Sequence, residues 1–383
     1  MTNNKQFDVN KDYWAVFDAD TLLHSSAVIC ERRYIIAKHK ATDTQQRFDN
    51  VTQFKGRGLN SKPGAFGQEG SWIYSLNEKQ LKTGHKRFTV GEFEIIQERE
   101  QVEDLQVAKA AINNQIKKLC LLPWINFHKL KLVIGGCDTD EDYEPNFRYE
   151  VAKSFPYKGR RGEKPIVFQE LRKWFINKYK DNVVLAQGME SDDYLSVFNY
   201  WCNDHNQNCV LIYLDKDLCG IPNHWWFNYT KLKDVSPKEL QERIENDSKF
   251  EQSETLHLTN PIYIDKFTAD YNFWTQILKG DMGTDNIPGL IGKGSKFAEA
   301  ALADCKTEKE MAEKVIEAYK EYANLPIKGG KQAYTDMFVK NEYNHYKDWK
   351  CVLNEQYLLL RMREDKNRII TLDEHLNRLG VKL

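Results

Sequence analysis

Several short apolar runs in this sequence end in acidic residues, and this pattern constrains the fold more than any other feature. The runs are YWAVFDAD (13–20), KLVIGGCD (131–138) and CVLIYLDKD (209–217). Each has the length and apolar content of a buried β-strand, and segments with helical periodicity separate them. Strands that alternate with helices form a mostly parallel sheet with flanking helices. The sequence therefore predicts an α/β fold with acids at the carboxyl edge of the sheet, where such sheets bind ligands.

Further strands and helices complete this predicted core. NVVLAQGMESDDYLSVFNYW (182–201) predicts a strand, a glycine turn and a helix, and HWWFNYT (224–230) predicts another strand. Helical periodicity predicts helices over 98–119 and 165–179, the second with a proline at its first position. Residues 38–92 are polar and rich in glycine and lysine, which predicts an extended insertion that is mobile or contacts the substrate.

Beyond residue 265 the pattern becomes helical. Aromatic and aliphatic residues repeat with a helical period over 265–279, and Thr307 with Glu310 predicts a capping box at the start of a helix over 307–322. Residues 336–362 predict two more helices. We therefore expect an α/β core over 1–264, with the insertion at 38–92, and a helical region over 265–383.

The composition argues against a membrane or secreted protein. No apolar run approaches the roughly 18–20 residues that a membrane span needs, and the first dozen residues lack the apolar core of a secretory signal. The eight cysteines include no C-x-x-C, which favours reduced core thiols over a disulfide framework or a zinc site. These features predict a cytoplasmic protein without a membrane partner. The net charge of −1 can conceal local patches of either sign.

Three acidic clusters predict a site for hard metal ions. They are ESDD (190–193), LDKD (214–217) and GDMGTD (280–285), and each by itself is as readily a solvated helix start or a turn. Because their positions converge on one sheet edge, together they favour a set of oxygen ligands for Mg²⁺ or Mn²⁺ rather than for zinc. Two such ions would hold the attacking and leaving oxygens of a phosphodiester.

Two other segments predict contacts with a nucleic acid. In 146–165, six lysines and arginines are interleaved with aromatic residues, and cations neutralise phosphate while aromatic rings stack on bases. In DNIPGLIGKG (285–294), glycines allow the backbone to approach a ligand closely. Helices predicted on both sides make this segment similar to a helix–hairpin–helix, which grips a strand without reading its bases.

The motifs FDAD, CD…FR…YKGRR, GMESDD, YLDKD and KGDMGTDNIPGLIGKGSK, in this order, resemble those of the flap endonuclease and 5′–3′ exonuclease family. Compact phage replication exonucleases show the same layout, and the resemblance covers most of residues 13–300. It implies a PIN-like 5′-nuclease core followed by a helix–three-turn–helix. The metal ligands that it implies are Asp18, Asp138, Glu190, Asp192, Asp193, Asp215, Asp217, Asp281 and Asp285. The implied catalytic residues are Lys158, Arg161, Asp18, Asp193 and Asp215. The implied DNA-binding residues are Arg148, Tyr157, Lys158, Arg160, Arg161, Gly289, Gly292, Lys293, Gly294, Ser295 and Lys296.

The resemblance also implies an activity, its cofactors and its partners. The expected protein is a Mg²⁺-dependent 5′–3′ exonuclease or structure-specific 5′ nuclease of phage-type DNA replication. It would use two Mg²⁺ or Mn²⁺ ions, with K⁺ at the glycine hairpin, and act on double-stranded or branched DNA that has a 5′ end. Because few residues separate YKGRRGEKP from GMESDD, the helical arch of this family would be short, which favours action from a 5′ end. Cleavage of RNA in RNA–DNA hybrids for primer removal stays open.

Two alternatives stay open on the sequence alone. FDADTL and GDMGTD are similar to the motifs of haloacid-dehalogenase-type phosphatases, although Leu22 stands where that family has Thr or Val. A phosphatase would leave ESDD, LDKD, YKGRR and the glycine hairpin without a role. The other alternative is a non-catalytic relative that binds branched DNA, and such a protein would not need the full set of acids that this chain keeps.

Overall fold

The computed structural model describes residues 5–159, 161–246, 252–323 and 348–383. These residues form two compact units. The sheet unit comprises Met1–Leu23, Ile112–Glu163 and Lys173–Leu383, and the insertion unit comprises His24–Ala111 and Lys164–Arg172. The expected boundary near residue 264 therefore does not separate compact units.

A six-stranded, mostly parallel sheet lies in the sheet unit, with the order β6-β5-β1-β7-β8-β9. Only the pairing of β8 with β9 is antiparallel. β1 lies between β5 and β7, so the carboxyl ends of these three strands meet at one edge. The strands of this sheet are β1 Tyr13–Asp18, β5 Leu130–Gly135, β6 Val183–Ala186, β7 Asn208–Ile212, β8 His224–Phe227 and β9 Ile262–Ile264. The predicted α/β class with a mostly parallel central sheet is confirmed.

Fourteen α-helices occur among the described residues. Those that begin before residue 200 are α1 Ala19–Val28, α2 Val51–Lys55, α3 Trp72–Lys82, α4 Leu105–Cys120, α5 Arg148–Val151, α6 Phe168–Lys178 and α7 Ser191–Asp204. The others are α8 Pro237–Glu245, α9 Gln252–Thr259, α10 Lys266–Lys279, α11 Ser295–Leu302, α12 Glu308–Tyr322, α13 Trp349–Leu360 and α14 Leu372–Leu379. Thr307 and Glu310 form the predicted capping box of α12. Of the two helices predicted over 336–362, α13 is present, and 336–347 lie outside the described residues.

α10 joins the helical region to the sheet. Trp274, Ile277 and Leu278 on this helix are completely buried in a cluster that includes side chains of α12 and α13. The helix also packs against the 3₁₀ turn Lys216–Gly220 that follows β7. Because one helix contacts both parts, residues 265–383 belong to the same unit as the sheet.

The insertion unit is folded, with a sheet and helices of its own, and is not extended. That residues 38–92 are mobile or contact the substrate stays a prediction. Its antiparallel sheet has the order β3-β2-β4, with β2 Glu31–His39, β3 Gln45–Phe48 and β4 Phe93–Gln101. Phe48, Phe54, Ile73 and Phe93 contribute to its hydrophobic core. Because these apolar residues are far apart in a polar sequence, the local composition does not predict that they form a core.

The starts of two predicted helices and the state of the cysteines can also be compared with the structure. The helix expected over 98–119 begins at Leu105, because residues 98–101 pair with β2 as part of β4. The helix expected from Pro165 begins at Phe168. All eight cysteines are free thiols. No helix in the described ranges combines the length and apolarity that crossing a membrane requires.

Candidate active site

Asp18 ends β1 at the carboxyl edge of the sheet. Its side chain is only 4% exposed, accepts a hydrogen bond from the Thr21 hydroxyl at 2.8 Å, and accepts one from the Asp20 backbone N–H at 3.2 Å. Burial and the charge of Asp20 raise the pKa of Asp18 to about 7, against the lowering effect of hydrogen bonds from Thr21 and Ser191. Asp20 itself accepts a hydrogen bond from the Gly135 N–H at 2.8 Å, which links the ends of β1 and β5.

The start of α7 supplies the next acids. Glu190 is the N-cap residue and forms a reciprocal capping box with Asp193. Its Oε1 accepts hydrogen bonds from Asn146 at 2.7 Å, from Tyr157 at 2.9 Å, and from Lys158. Burial by itself would raise the pKa of Glu190, but the nearby cations and hydrogen bonds outweigh it and lower the pKa to about 2. Glu190 is therefore an ionised partner of Lys158.

The pKa of Asp192 is shifted in the opposite direction from that of Glu190. Burial raises the pKa of Asp192 well above its ordinary value, and the charges of Asp18, Asp215 and Glu190 raise it further. Acids from the ends of β1 and β7 and from the start of α7 are thus close enough to repel one another. This is the convergence that the sequence pattern predicts.

Asp193 does not belong to this group of acids. Its side chain is completely buried and pairs with both terminal nitrogens of Arg148, one of them at 2.8 Å. It also accepts hydrogen bonds from the backbone N–H groups of Glu190 at 3.2 Å and Arg363 at 3.1 Å. With its oxygens engaged in this way, Asp193 does not fit the predicted roles of metal ligand and catalytic residue.

Two acids follow β7. Asp215 caps the 3₁₀ turn Lys216–Gly220 by accepting a hydrogen bond from the Asp217 N–H at 3.0 Å. Burial raises the pKa of Asp215, and the charges of Asp281 and Asp285 raise it further. Burial and the charges of Asp215, Asp281 and Asp285 raise the pKa of Asp217 to about 7. The charge of Arg161 lowers the pKa of Asp215 but does not offset this repulsion.

Asp281 and Asp285 lie in a tight hairpin between α10 and α11. Asp281 and Ile287 form an antiparallel bridge, with backbone hydrogen bonds of 2.7 and 3.0 Å. At its base Gly280 and Gly289 both have positive φ, and a Cβ on Gly289 would lie 2.3 Å from the Gly280 nitrogen. The close approach of the two backbones requires glycine at both positions. The hairpin thereby places Asp285 beside the basic segment.

The lysine- and arginine-rich residues 146–165, the basic segment, supply two cations that contact acids of the site. The Lys158 backbone N–H donates to the Asp285 carbonyl at 3.0 Å, and its ammonium group pairs with Glu190. Arg161 donates to Asp285 Oδ1 at 2.7 Å while half of its side chain remains exposed. The Tyr157 hydroxyl lies 2.9 Å from Glu190 and 3.1 Å from Asp285. Lys158 and Arg161 therefore both contact acids of the site, and the charge of the half-exposed Arg161 is accessible to an anionic ligand.

The acids of this site suit divalent ions, although they do not form a complete metal-binding group. Among the described residues, no three His, Cys, Asp or Glu side chains already form a metal-binding group. The acids are close enough to raise one another's pKa. An all-oxygen donor set that is buried and short of positive charge suits Mg²⁺ or Mn²⁺.

Asp138 follows the neighbouring strand β5 by three residues. It is exposed and accepts a hydrogen bond from the Cys137 thiol at 3.2 Å. In the part of the chain that the structure describes, no contact with the other predicted ligands accompanies this position. Its role as a metal ligand stays a prediction.

The structure corrects several predicted contacts with DNA. Arg148 is 2% exposed and donates hydrogen bonds to the carbonyls of Leu359 at 2.8 Å and Arg361 at 2.9 Å, so it cannot contact DNA from this position. Tyr157 is also buried. The Gly289 N–H donates to Gln356 Oε1 at 2.9 Å and is therefore not available to a strand.

The other residues predicted to bind DNA lie on the surface or outside the described ranges. Gly292, Gly294, Ser295 and Lys296 are exposed at the turn into α11, and the Lys293 ammonium lies over the ring of Tyr322 at 3.5 Å. Arg160 lies outside the described residues. The two helices flanking a glycine hairpin, which the sequence predicts, are present as α10, the hairpin and α11.

Sequence reasoning missed two polar residues that support the acids. Asn146 donates to Glu190, and Gln276 on α10 is close enough to Asp217 to lower its pKa. Gln276 occupies a predominantly apolar helix, and a buried polar residue there is the signal that could have revealed it.

Comparison with known proteins shows a remote likeness only. No family model matches the chain, and no curated protein matches its sequence. A bacteriophage T5 5′-exonuclease solved with bound zinc ions is 19% identical over 60% of this chain and 73% of that chain, with a TM-score of 0.32. A T5 flap endonuclease in a pseudo-enzyme–product complex with DNA and metal ions is 16% identical over the same shares, with a TM-score of 0.30. Likeness of this size decides no activity.

Proposed function

We propose that this chain is a divalent-metal-dependent 5′ nuclease that hydrolyses DNA phosphodiesters. The observation that carries the proposal is the group formed by Asp18, Asp192, Asp215 and Asp217, whose burial and mutual repulsion raise their pKa values. The charges of Lys158 and Arg161 act on Asp192 and Asp215 of this group, and Arg161 is half exposed. Buried acids that repel one another beside an accessible cation suit metal ions and a phosphate together.

Asp18, Asp192, Asp215 and Asp217, joined by Asp281 and Asp285, would hold two Mg²⁺ or Mn²⁺ ions. Such ions supply Lewis acidity, activate a water molecule and neutralise charge on a leaving oxygen. Asp138 and Glu190 are further candidate ligands from the family resemblance. Asp193 is not among them, because Arg148 holds both of its oxygens.

The cations of this site would bind and orient the scissile phosphate. Arg161 can turn its exposed guanidinium group from Asp285 towards a phosphate oxygen, since guanidinium forms paired hydrogen bonds with phosphate. Lys158 would exchange part of its contact with Glu190 for the phosphate. Positioned cations of this kind stabilise charge that develops in the transition state.

The substrate we propose is double-stranded or branched DNA with a 5′ end, cut in the 5′–3′ direction during phage-type replication. The exposed turn at Gly292 and Gly294 before α11 would contact one strand through its backbone, with K⁺ as a bound ion. RNA in an RNA–DNA hybrid is a further candidate substrate. Nicked duplex, blunt duplex, 5′-flap and hybrid substrates compared at equal concentration rank these possibilities.

The test is cleavage of 5′-labelled duplex DNA in Mg²⁺ by the Asp192→Asn and Asp215→Asn variants. We expect each to lower the cleavage rate by at least about 10²-fold while duplex affinity in EDTA stays within a few-fold, because removing one preorganised electrostatic group costs about that factor. Asp304→Asn is the matched control, since Asp304 is exposed and distant in sequence from the acids.

The same preparations distinguish the alternative functions. Hydrolysis of p-nitrophenyl phosphate without cleavage of DNA would favour a phosphatase. Absence of Mn²⁺ binding in isothermal titration, together with retained DNA binding, would favour a non-catalytic DNA-binding protein. Normal cleavage by Asp192→Asn would contradict the proposed site itself.

A further inference from the structure

Two loops of the insertion unit lie side by side and are fixed to each other. Asn77 on α3 is buried, and its amide donates to the carbonyls of Phe66 at 2.9 Å and Phe88 at 2.8 Å. The same side chain accepts a hydrogen bond from the Phe88 N–H at 2.7 Å. The Val90 N–H donates to the Ala65 carbonyl at 2.8 Å. We call residues 55–71 and 82–89, which comprise these loops and the helix ends that open them, the paired-loop surface.

The paired-loop surface is strongly basic. It contains six lysines and arginines against a single acid, Glu69. The cations are Lys55, Arg57, Lys62, Lys82, Lys86 and Arg87. In the described part of the chain none of the six forms an ion pair with a carboxylate, whereas lysines on α8 and α12 do. Lys86 is near enough to Glu92 to lower the pKa of that carboxyl, but a cluster of six cations is still conspicuous in a chain whose net charge is −1.

The same surface exposes apolar side chains beside these cations. Leu59 is 75% exposed and Phe66 is 37% exposed. The Arg87 guanidinium carbon lies 3.9 Å from the centroid of the Phe66 ring. An exposed aromatic ring flanked by cations can stack on an unpaired base while the cations bind the adjoining phosphates.

We propose that the paired-loop surface binds nucleic acid, with the phosphate backbone of a DNA strand on its lysines and arginines and a base on Phe66. None of these residues belongs to the acid group, so the proposal adds a second DNA-binding surface to the proposed function. Nucleic acid suits the surface better than an acidic protein, because the Arg87–Phe66 stack offers a planar apolar contact that carboxylate side chains cannot use.

The test is DNA binding by the full chain in EDTA, where no metal-dependent cleavage occurs, so its outcome is independent of the proposed catalysis. A loop variant carries four substitutions to glutamine, at Arg57, Lys62, Lys86 and Arg87. A control variant carries four substitutions to glutamine at exposed cations that already have carboxylate partners, namely Lys238, Lys309, Lys314 and Arg368. Both variants lose the same formal charge. Fluorescence anisotropy of labelled single-stranded and duplex 20-mers gives Kd between 50 and 200 mM salt.

We expect the loop variant to bind DNA at least tenfold more weakly than the control variant at 50 mM salt. Its slope of log K against log salt should be shallower, by about 0.7–0.9 for each phosphate that the variant no longer neutralises. Phe66→Ala should weaken single-stranded binding at least about fivefold with less effect on duplex, because stacking on one base contributes about 1–3 kcal/mol. Glu69→Lys, which adds positive charge and leaves the six cations in place, should tighten binding two- to threefold.

Two results would overturn the proposal. One is equal Kd values and equal salt slopes for the loop and control variants, with Glu69→Lys unchanged. The other is competition by polyglutamate that is as strong as competition by DNA of equal charge, which would assign the surface to an acidic protein. If the loop variant unfolds, the Kd values of Glu69→Lys and Phe66→Ala for DNA test the proposal by themselves.

Discussion

The buried ion pair between Arg148 and Asp193 leads to a quantitative prediction about stability. Arg148→Met keeps a long side chain but leaves the carboxylate of Asp193 buried without its cation, and it removes the donors to the Leu359 and Arg361 carbonyls. Breaking a buried pair from one side costs about 3–5 kcal/mol, and each unsatisfied carbonyl adds about 1 kcal/mol or more. The expected loss of about 5 kcal/mol is a large part of the 5–15 kcal/mol typical of a folded protein.

The measurement is a double-mutant cycle by urea unfolding, with Arg148→Met, Asp193→Leu and the double variant. The double variant removes both charges, so its free energy of unfolding should exceed the value expected from simple addition by at least about 2 kcal/mol. Cleavage by Asp193→Leu should fall only with the folded fraction. Additive effects within about 0.5 kcal/mol would refute the ion-pair reasoning. If the Asp193→Leu variant is stably folded but inactive, Asp193 takes part in the reaction.

Three further predictions follow from other contacts. Lys158→Ala should lower the cleavage rate by about 10²–10³-fold with little change in duplex affinity in EDTA, since its charge acts on the scissile phosphate; a near-normal rate would remove it from the site. Gly289→Ala should lower the free energy of unfolding in urea by about 3 kcal/mol or more, because its Cβ would overlap the backbone of Gly280. Gly292→Ala, where φ is positive but the space is open, should lower it by about 1 kcal/mol. Equal losses for the two variants would contradict the close approach of the backbones. Burial opposes ionisation of Glu308, but hydrogen bonds from His375 and a lysine outweigh it and lower the pKa of Glu308 to about 2. The ionised carboxylate therefore stabilises the folded protein above pH 4.5, and this stabilisation is lost as the pH falls towards 2. Glu308→Gln should therefore be less stable by about 2 kcal/mol at pH 7, and the difference should shrink with acidification; a difference that is constant from pH 7 to 3 would contradict this pairing.

The position of the acids at strand ends could be predicted, because it depends on a local rule. Asp18 ends a strand of the parallel sheet, and Asp215 follows the neighbouring strand. Parallel strands bring such residues to one edge whatever the detailed packing. The capping box of Thr307 and Glu310 is equally predictable, since it needs only four consecutive residues.

The difference between Asp192 and Asp193 could not be predicted from the sequence. Adjacent residues on a helix point about 100° apart, so one faces the other acids and its neighbour faces the protein interior. Which of the two does so depends on how α7 is rotated against the sheet. Arg148 decides this rotation by pairing with Asp193, and its burial depends on a segment more than 200 residues later in the chain.

The fold of the insertion unit could not be predicted for a related reason. Its core residues Phe48, Phe54, Ile73 and Phe93 are separated by polar loops, so no window of the sequence shows helical or strand periodicity strongly. Long-range packing brings them together. The cations of the same segment are visible in the sequence, but long-range hydrogen bonds such as those of Asn77 are needed to show that two of its loops share a surface.

The contacts of residues 355–363 have a consequence for biosynthesis. Glu355 accepts hydrogen bonds from the backbone N–H groups of Lys153 and Ser154, and Leu359, Arg361 and Arg363 complete the surroundings of the buried pair. A nascent polypeptide that still has this stretch inside the ribosomal tunnel cannot assemble the neighbourhood of α5 and α7. The surroundings of the Arg148–Asp193 pair are therefore completed late in translation, and premature termination before residue 355 leaves a product without them.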